Sequence, residues 1–127
     1  MVQRVAQLFG VVFLLIGVLG FVSTGMSMDA NVDTAPKLLG LFPVNVLHNV
    51  FHLLFGVWGL LAARTVAGAT QFAKLGGSIY GVLAALALVT PNTFGLIPIG
   101  GNNIWLHALI GVVLFYFGIR QPKPATA

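Results

Sequence analysis

Hydrophobic residues in this chain occur in long, nearly uninterrupted runs and do not alternate with polar residues as strand residues do. Four runs stand out, at residues 5–22, 46–63, 72–89 and 102–119. A helix needs roughly 20 mainly apolar residues to cross a bilayer core of about 30 Å. A backbone inside lipid must also satisfy its own hydrogen bonds. The pattern therefore predicts an all-α integral membrane protein, a bundle of four transmembrane helices.

The composition favours the same architecture. Of the 127 residues, 58% are hydrophobic and 6% are charged, whereas soluble domains carry about 25% charged residues. Because so few charged residues cannot cover a water-exposed surface, residues 1–127 are expected to form a single transmembrane domain. The first run is longer than the ~7–15 apolar residues of a secretory signal, so we interpret it as a retained helix.

The charged residues predict an orientation. Five of the six basic residues fall at helix ends that an up-and-down bundle places on one side: Arg4, Arg64, Lys74, Arg120 and Lys123. The other side holds the remaining charges: Lys37, Asp29 and Asp33. By the positive-inside rule the first side is cytoplasmic, with both termini inside and the loops of residues 23–45 and 90–101 outside. The scattered charges form no basic stripe, which disfavours nucleic-acid binding.

The chain contains an internal duplication. The sequence Gly-Leu-Phe-Pro-Val at residues 40–44 is echoed by Gly-Leu-Ile-Pro-Ile at residues 95–99. The same offset of 55 residues aligns two further pairs: His52 with His107, and Gly56 with Gly111. We therefore predict two tandem helical hairpins, at about residues 1–64 and 70–120, in the same orientation.

Glycines are expected to let the helices approach one another, because helix contact in lipid depends on small residues. The third helix has a GxxxG match, and a weak echo of the duplication aligns Gly10 with Gly76. The predicted packing residues are Gly10, Gly17, Gly56, Gly59, Gly77, Gly81, Gly111 and Gly118.

A cluster of polar residues is predicted in the outer half of the second and fourth helices. Its members are Asn45, His48, Asn49, His52, Asn102, Asn103 and His107. Polar side chains within a span are costly and normally face the bundle interior. The favoured interpretation is structural: these side chains bond to one another and to loop carbonyls near Pro43 and Pro98. Asn45 or Asn102 can cap the helix that follows it.

Functional alternatives for the histidines stay open. His48 and His52, one turn apart, can share a metal ion, with His107, Asp29 or Asp33 as a third ligand. His52 and His107 can instead be axial ligands of a haem, or one histidine can ligate a chlorophyll-type pigment. A proton path is a further alternative, since histidine titrates near neutral pH. No acidic residue lies within a span and no catalytic motif is present, so we expect no enzyme; the absence of cysteine excludes thiol chemistry.

Several segments resemble a bacterial family known as domain of unknown function 4383. They are the Phe-Gly-Val-Val-Phe-Leu-Leu-Ile-Gly run at residues 9–17, residues 39–45 running into 48–57, the Leu-Ile-Pro loop at 96–98 and residues 107–111. The resemblance implies a four-helix membrane protein of the bacterial inner (or thylakoid-type) membrane, and it brings no activity, substrate or cofactor. Asn103 stands where the second repeat would place the equivalent of His48, so no symmetric four-histidine site is expected.

Three functions are therefore considered. The leading hypothesis is a non-enzymatic membrane protein that packs with other helices, as a homo-oligomer or as an accessory subunit of a respiratory, photosynthetic or transport complex, because almost nothing lies outside the bilayer to bind a substrate. The second is a haem-, pigment- or metal-binding protein using His52, His107 and His48. The third is a small transporter or channel, although no span carries the ionisable residues of a filter.

Overall fold

A computed structural model describes residues 1–122; Lys123, assigned above to the cytoplasmic side, lies outside them. Four helices are present: α1 at Val2–Thr24, α2 at Val46–Ala62, α3 at Val66–Ala87 and α4 at Asn103–Ile119. The all-α class and the four helices are confirmed. Among the described helices, α1 alone is long and apolar enough to cross a membrane, while α2 and α4 are apolar but have 17 residues each.

Helix α3 begins before the predicted span, at Val66 and not at residue 72. The cause is Thr65, whose hydroxyl accepts a hydrogen bond of 3.0 Å from the backbone N–H of Gly68 and so caps the helix. The turn between α2 and α3 is therefore short. Lys74 was predicted to flank this turn, and that prediction is wrong, because Lys74 lies within α3.

The helices pack as two antiparallel hairpins, α1 with α2 and α3 with α4. In the first hairpin, a Cβ atom added to Gly10 would lie 3.0 Å from the carbonyl oxygen of Gly56, and one added to Gly56 would lie 2.9 Å from that of Gly10. Gly77 and Gly111 form the same mutual contact in the second hairpin, at 2.9 and 3.0 Å. Backbones approach this closely only where side chains are absent. Gly77, and not Gly76, thus takes the position equivalent to Gly10.

The other predicted packing glycines have unequal surroundings. Gly17, Gly59 and Gly118 each lie against a neighbouring helix. At Gly81 an added Cβ would meet no described atom within 4 Å. Gly20, which the sequence pattern did not single out, has the least room, because a Cβ there would collide with the side-chain amide of Asn49.

The two glycines of the GxxxG match give a matched pair of variants. Gly77→Ala is expected to lower the free energy of unfolding by about 1–3 kcal/mol, because the new Cβ would lie 2.5 Å from the backbone nitrogen of Phe115. Gly81→Ala is expected to be neutral or slightly stabilising, since alanine favours the helix. Denaturant unfolding of both purified variants measures the difference, and equal stabilities would contradict this account of the α3–α4 contact.

Two loops, residues 25–45 and 88–102, lie at the same end of the protein. The first contains an antiparallel pair of two-residue strands, β1 at Lys37–Leu38 and β2 at Phe42–Pro43. These strands were not predicted from the sequence. They form because the N–H and C=O groups of a packed loop need partners, and the loop supplies them from its own backbone.

The two loops share a local conformation at the repeated Gly-Leu-apolar-Pro motif. Leu39 and Gly40 have φ angles of 55° and 71°, and Phe94 and Gly95 have φ angles of 57° and 88°. A left-handed residue other than glycine is uncommon. Its occurrence at both copies of the motif means that the two loops turn in the same way before they enter α2 and α4.

Candidate functional site

Three histidines meet below the two loops. His48 lies in the first turn of α2, His52 one turn later, and His107 near the start of α4. The ring centroids of His48 and His52 are 4.4 Å apart, and those of His48 and His107 are 5.9 Å apart. All three side chains are buried, with 5%, 5% and 2% of their surface exposed. The structure thus gathers the histidines of both repeats in one place.

The capping residue Asn45 fixes where α2 begins and hence where its histidines lie. Its side-chain oxygen accepts a hydrogen bond of 2.9 Å from the backbone N–H of His48. This is the geometry of a helix N-cap. His48 and His52 then follow at a spacing of four residues, which places both on one face of α2.

Three of the six ring nitrogens in the cluster are buried without a hydrogen-bond partner in the described part of the chain. One nitrogen from each histidine lies within 4.8 Å of the other two. Both ring nitrogens of His48 and Nδ1 of His107 are buried without a hydrogen-bond partner among residues 1–122. Buried polar groups normally have such a partner, and lacking one costs about 1–3 kcal/mol. No described protein group engages these nitrogens, so they are available to bind a ligand.

His52 differs from the other two because its backbone environment fixes its tautomer. Its Nδ1–H donates a hydrogen bond of 2.9 Å to the carbonyl oxygen of His48. In neutral imidazole this leaves the lone pair on Nε2. A backbone carbonyl that orients a histidine through one nitrogen, so that the other can bind a metal, is a common outer contact of metal sites.

The asparagines, in contrast, bond to the loops as predicted for a structural cluster. Asn103 is buried and donates both hydrogens of its side-chain amide, to the carbonyl oxygens of Pro43 at 2.7 Å and Pro98 at 3.0 Å. It thereby joins α4 to the motif prolines of both repeats. The structural interpretation accounts for the two donors of this amide, whereas its Oδ1 atom, like the ring nitrogens of His48, is buried without a hydrogen-bond partner among residues 1–122.

Two further asparagine amides connect the repeats. The amide of Asn45 donates to the carbonyl oxygen of Leu96 at 2.8 Å. The amide of Asn102 donates to the carbonyl oxygen of Leu41 at 3.0 Å. Each bond runs from one repeat to the loop of the other. The relative positions of the two loops above the histidines are thus set by side-chain amides.

Asn102 does not cap α4, although the sequence allowed that role. Its backbone is already helical, with φ −65° and ψ −16°, whereas a capping residue usually has extended angles. Its side-chain oxygen instead accepts a hydrogen bond of 3.1 Å from the indole N–H of Trp105. Asn49, the remaining member of the predicted cluster, donates to the hydroxyl of Thr24 at 3.0 Å and so bonds to α1.

Asp29 and Asp33, which were considered as a third metal ligand, lie in the first loop. The third member of the cluster is instead His107. Asp29 is partly exposed, and its carboxylate accepts hydrogen bonds from the hydroxyl of Thr34 at 2.7 Å and from the N–H of Asn31 at 2.9 Å. These two bonds, that of Thr34 first, lower the pKa of Asp29. Asp33 is also exposed.

A cavity of about 290 Å³ adjoins the three histidines. Apart from them, its walls are Phe51, Phe55, Ile79, Tyr80, Leu83, Thr93, Ile97 and Ile99. The hydroxyl of Thr93 donates to the carbonyl oxygen of Ile97 at 2.8 Å. Pockets for drug-sized ligands begin at about 300 Å³, and a haem or chlorophyll-type macrocycle is larger than such ligands. The cavity therefore suits a small group better than a haem.

Tyr80 and Thr93 line the cavity with hydroxyl groups that the sequence analysis did not single out, and Tyr80 contacts the cluster directly. Its ring meets that of His107 edge-on at 5.2 Å and stacks on Phe13 at 5.2 Å. The available signal was a tyrosine between two glycines of an otherwise apolar run. Stacking on Phe13 connects α3 to α1 directly beside the histidines.

The cluster offers three imidazole nitrogens and no carboxylate. Imidazole suits zinc, copper, iron and nickel. A metal–nitrogen distance of about 2.0–2.1 Å places three nitrogens about 3.3–3.6 Å apart. The nitrogens of the cluster lie up to 4.8 Å apart, so the three rings must move closer together to hold an ion. The cluster contains no carboxylate that could act as a general base beside the three histidines.

Comparisons with known proteins place the chain in a family. No curated protein and no solved structure matches it. The family comparison agrees with the resemblance seen in the sequence and covers nearly the whole chain. The chain therefore belongs to the domain of unknown function 4383 family, which it matches over residues 3–120.

Proposed function

We propose that this protein is a multi-pass membrane protein that binds one transition-metal ion through His48, His52 and His107. The observation that carries the proposal is the convergence of three buried imidazoles, with three of their six ring nitrogens buried without a hydrogen-bond partner among residues 1–122. An ion at the centre of the cluster would engage one nitrogen of each ring. This would offset the cost of burying unpaired polar atoms.

The membrane environment is supported by the distribution of side chains. Glycine, alanine, asparagine and histidine fill much of the interior, and only 28% of the most apolar stretch of α1 is buried. Large apolar side chains on all four helices have more than half of their surface exposed, among them Leu8, Leu15, Leu54, Leu61, Leu75, Val82, Leu109 and Val112. Water-soluble proteins rarely expose apolar patches of this extent, whereas lipid is a suitable solvent for them.

Helix length and interfacial residues fit the same proposal. Helices of 17 to 23 residues are about 26–35 Å long, close to the thickness of a bilayer core. Trp105 is half exposed beside the loops and packs on Phe42 with ring centroids 5.6 Å apart. Such a position is typical of an aromatic anchor at the membrane surface. We infer from the basic residues at the opposite end that this end and both termini face the cytoplasm.

Single-cysteine labelling tests this topology, because the chain contains no cysteine of its own. Asp33→Cys in the first loop and Ala67→Cys at the start of α3 are both exposed positions. In intact cells, a membrane-impermeant maleimide is expected to label the cysteine at residue 33 and to leave that at residue 67 unlabelled until the membrane is opened. Labelling of both cysteines in intact cells, or the reverse order, would refute the proposed orientation.

Metal binding is tested by titrating the purified, metal-stripped protein in mild detergent. One ion per chain is expected, and His52→Ala and His107→Ala should each weaken the binding by at least about a hundredfold, more than is usual for loss of an outer contact. Asn102→Ala is the control, because that side chain is exposed and faces a loop carbonyl. If both histidine variants bind the ion as tightly as the wild type, or if the wild-type protein itself binds no ion, the metal site does not exist.

Association with other membrane subunits, the leading hypothesis from the sequence, stays a prediction. One surface bears on it: an outward groove of about 440 Å³ between α3 and α4, with Gly81 and Ala108 in its floor. The groove does not name a partner. Transport also stays a prediction.

A further inference from the structure

The ligands available to the buried ion are electrically neutral. The whole chain has two acidic residues and no cysteine, and both acids lie in the loop of residues 25–45. Asp29 is partly exposed, with its carboxylate bonded to Thr34 and Asn31. An ion held by His48, His52 and His107 would therefore keep its full charge inside the protein.

The charge of the ion decides how unfavourable its burial is. The cost of moving an ion from water into a medium of low dielectric constant grows with the square of its charge, so a divalent ion loses about four times as much hydration as a monovalent ion of similar size. Divalent sites in proteins usually reduce this cost with carboxylate or thiolate ligands. Neither is available beside these histidines.

The shape of the site also favours a low coordination number. Three imidazole nitrogens converge, and beyond them lies the cavity, whose walls are apolar apart from the histidines, Tyr80 and the Thr93 hydroxyl bonded within its own loop. Tetrahedral zinc needs a fourth ligand, usually a water or a charged side chain. A cuprous ion is monovalent and is stable with three nitrogen ligands. It needs neither a bound water nor a charged side chain as a fourth ligand.

Resting on the proposed metal site, we infer that its ion is Cu(I), bound by three neutral imidazoles without an anionic ligand. Of the neighbouring groups, only Tyr80 could supply a negative charge, as a phenolate. Its ring stacks on Phe13 and meets that of His107 edge-on, and the atoms that converge are nitrogens of the three imidazoles. The ion and its three ligands thus carry a single positive charge.

The test compares Cu(I) with Zn²⁺ on the same detergent-purified protein. Cu(I) is titrated without oxygen against a chromogenic Cu(I) chelator, and Zn²⁺ against a zinc-binding dye. We expect one Cu(I) per chain, bound at least about a hundredfold more tightly than Zn²⁺. His48→Leu should weaken Cu(I) binding by about a hundredfold or more, while Tyr80→Phe should leave it within about threefold. X-ray absorption at the copper edge should show three nitrogen neighbours.

The outcomes separate this inference from the proposed function. Equal or tighter binding of Zn²⁺ through the same histidines would overturn the assignment of Cu(I) and leave the metal site standing. Loss of the ion in Tyr80→Phe would show that a phenolate is a ligand and would overturn the neutral donor set. If neither ion binds in a histidine-dependent way, the proposed function itself fails.

Discussion

Replacing His48 by Leu is expected to stabilise the metal-free protein by about 1–3 kcal/mol and to weaken metal binding by about a hundredfold or more. Both ring nitrogens of His48 are buried without a partner in the described part of the chain, and leucine fills a similar volume without burying a polar atom. Denaturant unfolding in the presence of a chelator measures the first effect. Metal titration of the same preparation measures the second.

His52→Leu is the matched control for this prediction. The two residues lie one turn apart with equal exposure, but His52 donates a hydrogen bond to the carbonyl of His48. Loss of this hydrogen bond should cancel most of the stability that is gained by removing a buried polar ring. A purely structural role for the histidines makes the opposite prediction for His48, namely lower stability in the leucine variant. That result would remove the argument for a metal.

The second large effect is expected at Asn103. Asn103→Leu removes the donors of two buried hydrogen bonds and leaves the carbonyl oxygens of Pro43 and Pro98 without them. Both prolines are fully buried, so water does not readily replace the amide. We expect the free energy of unfolding to fall by about 2–6 kcal/mol, the sum for two buried carbonyl oxygens that lose their partner.

The neighbouring Asn102 provides the comparison for Asn103. It is exposed, and its amide bonds to one loop carbonyl that water can reach. Asn102→Leu should therefore cost no more than about 1 kcal/mol. The two variants are compared by unfolding in the same detergent. If Asn103→Leu unfolds no more easily than Asn102→Leu, the amide does not hold the loops together.

Much of the fold could be predicted because it depends on local properties of the chain. Four apolar runs separated by loops rich in glycine and proline define four helices without knowledge of their contacts. The start of α3 was missed because a single hydroxyl, that of Thr65, extended the helix into a less apolar segment. The pair of two-residue strands was missed because it depends on the pairing of backbone groups across a turn and leaves no hydrophobic pattern.

The histidine cluster was partly predictable for the same reason. The spacing of His48 and His52 places them on one helix face, and the duplication aligns His107 with His52. Which polar groups find partners was not predictable, because it depends on where the carbonyls of Pro43 and Pro98 lie after folding. Those carbonyl oxygens accept hydrogen bonds from Asn103 and not from the histidines. Tyr80 entered the site through the packing of α3 on α1, which no repeat or spacing encodes.

The two hairpins contribute unequally to the cluster, two histidines from α2 and one from α4. Neither hairpin alone therefore contains the three-nitrogen set. A metal ion that binds only when the hairpins are docked stabilises the docked state by the free energy of its own binding. The ion would hold the two hairpins together, so that the hairpins separate only when the ion is released.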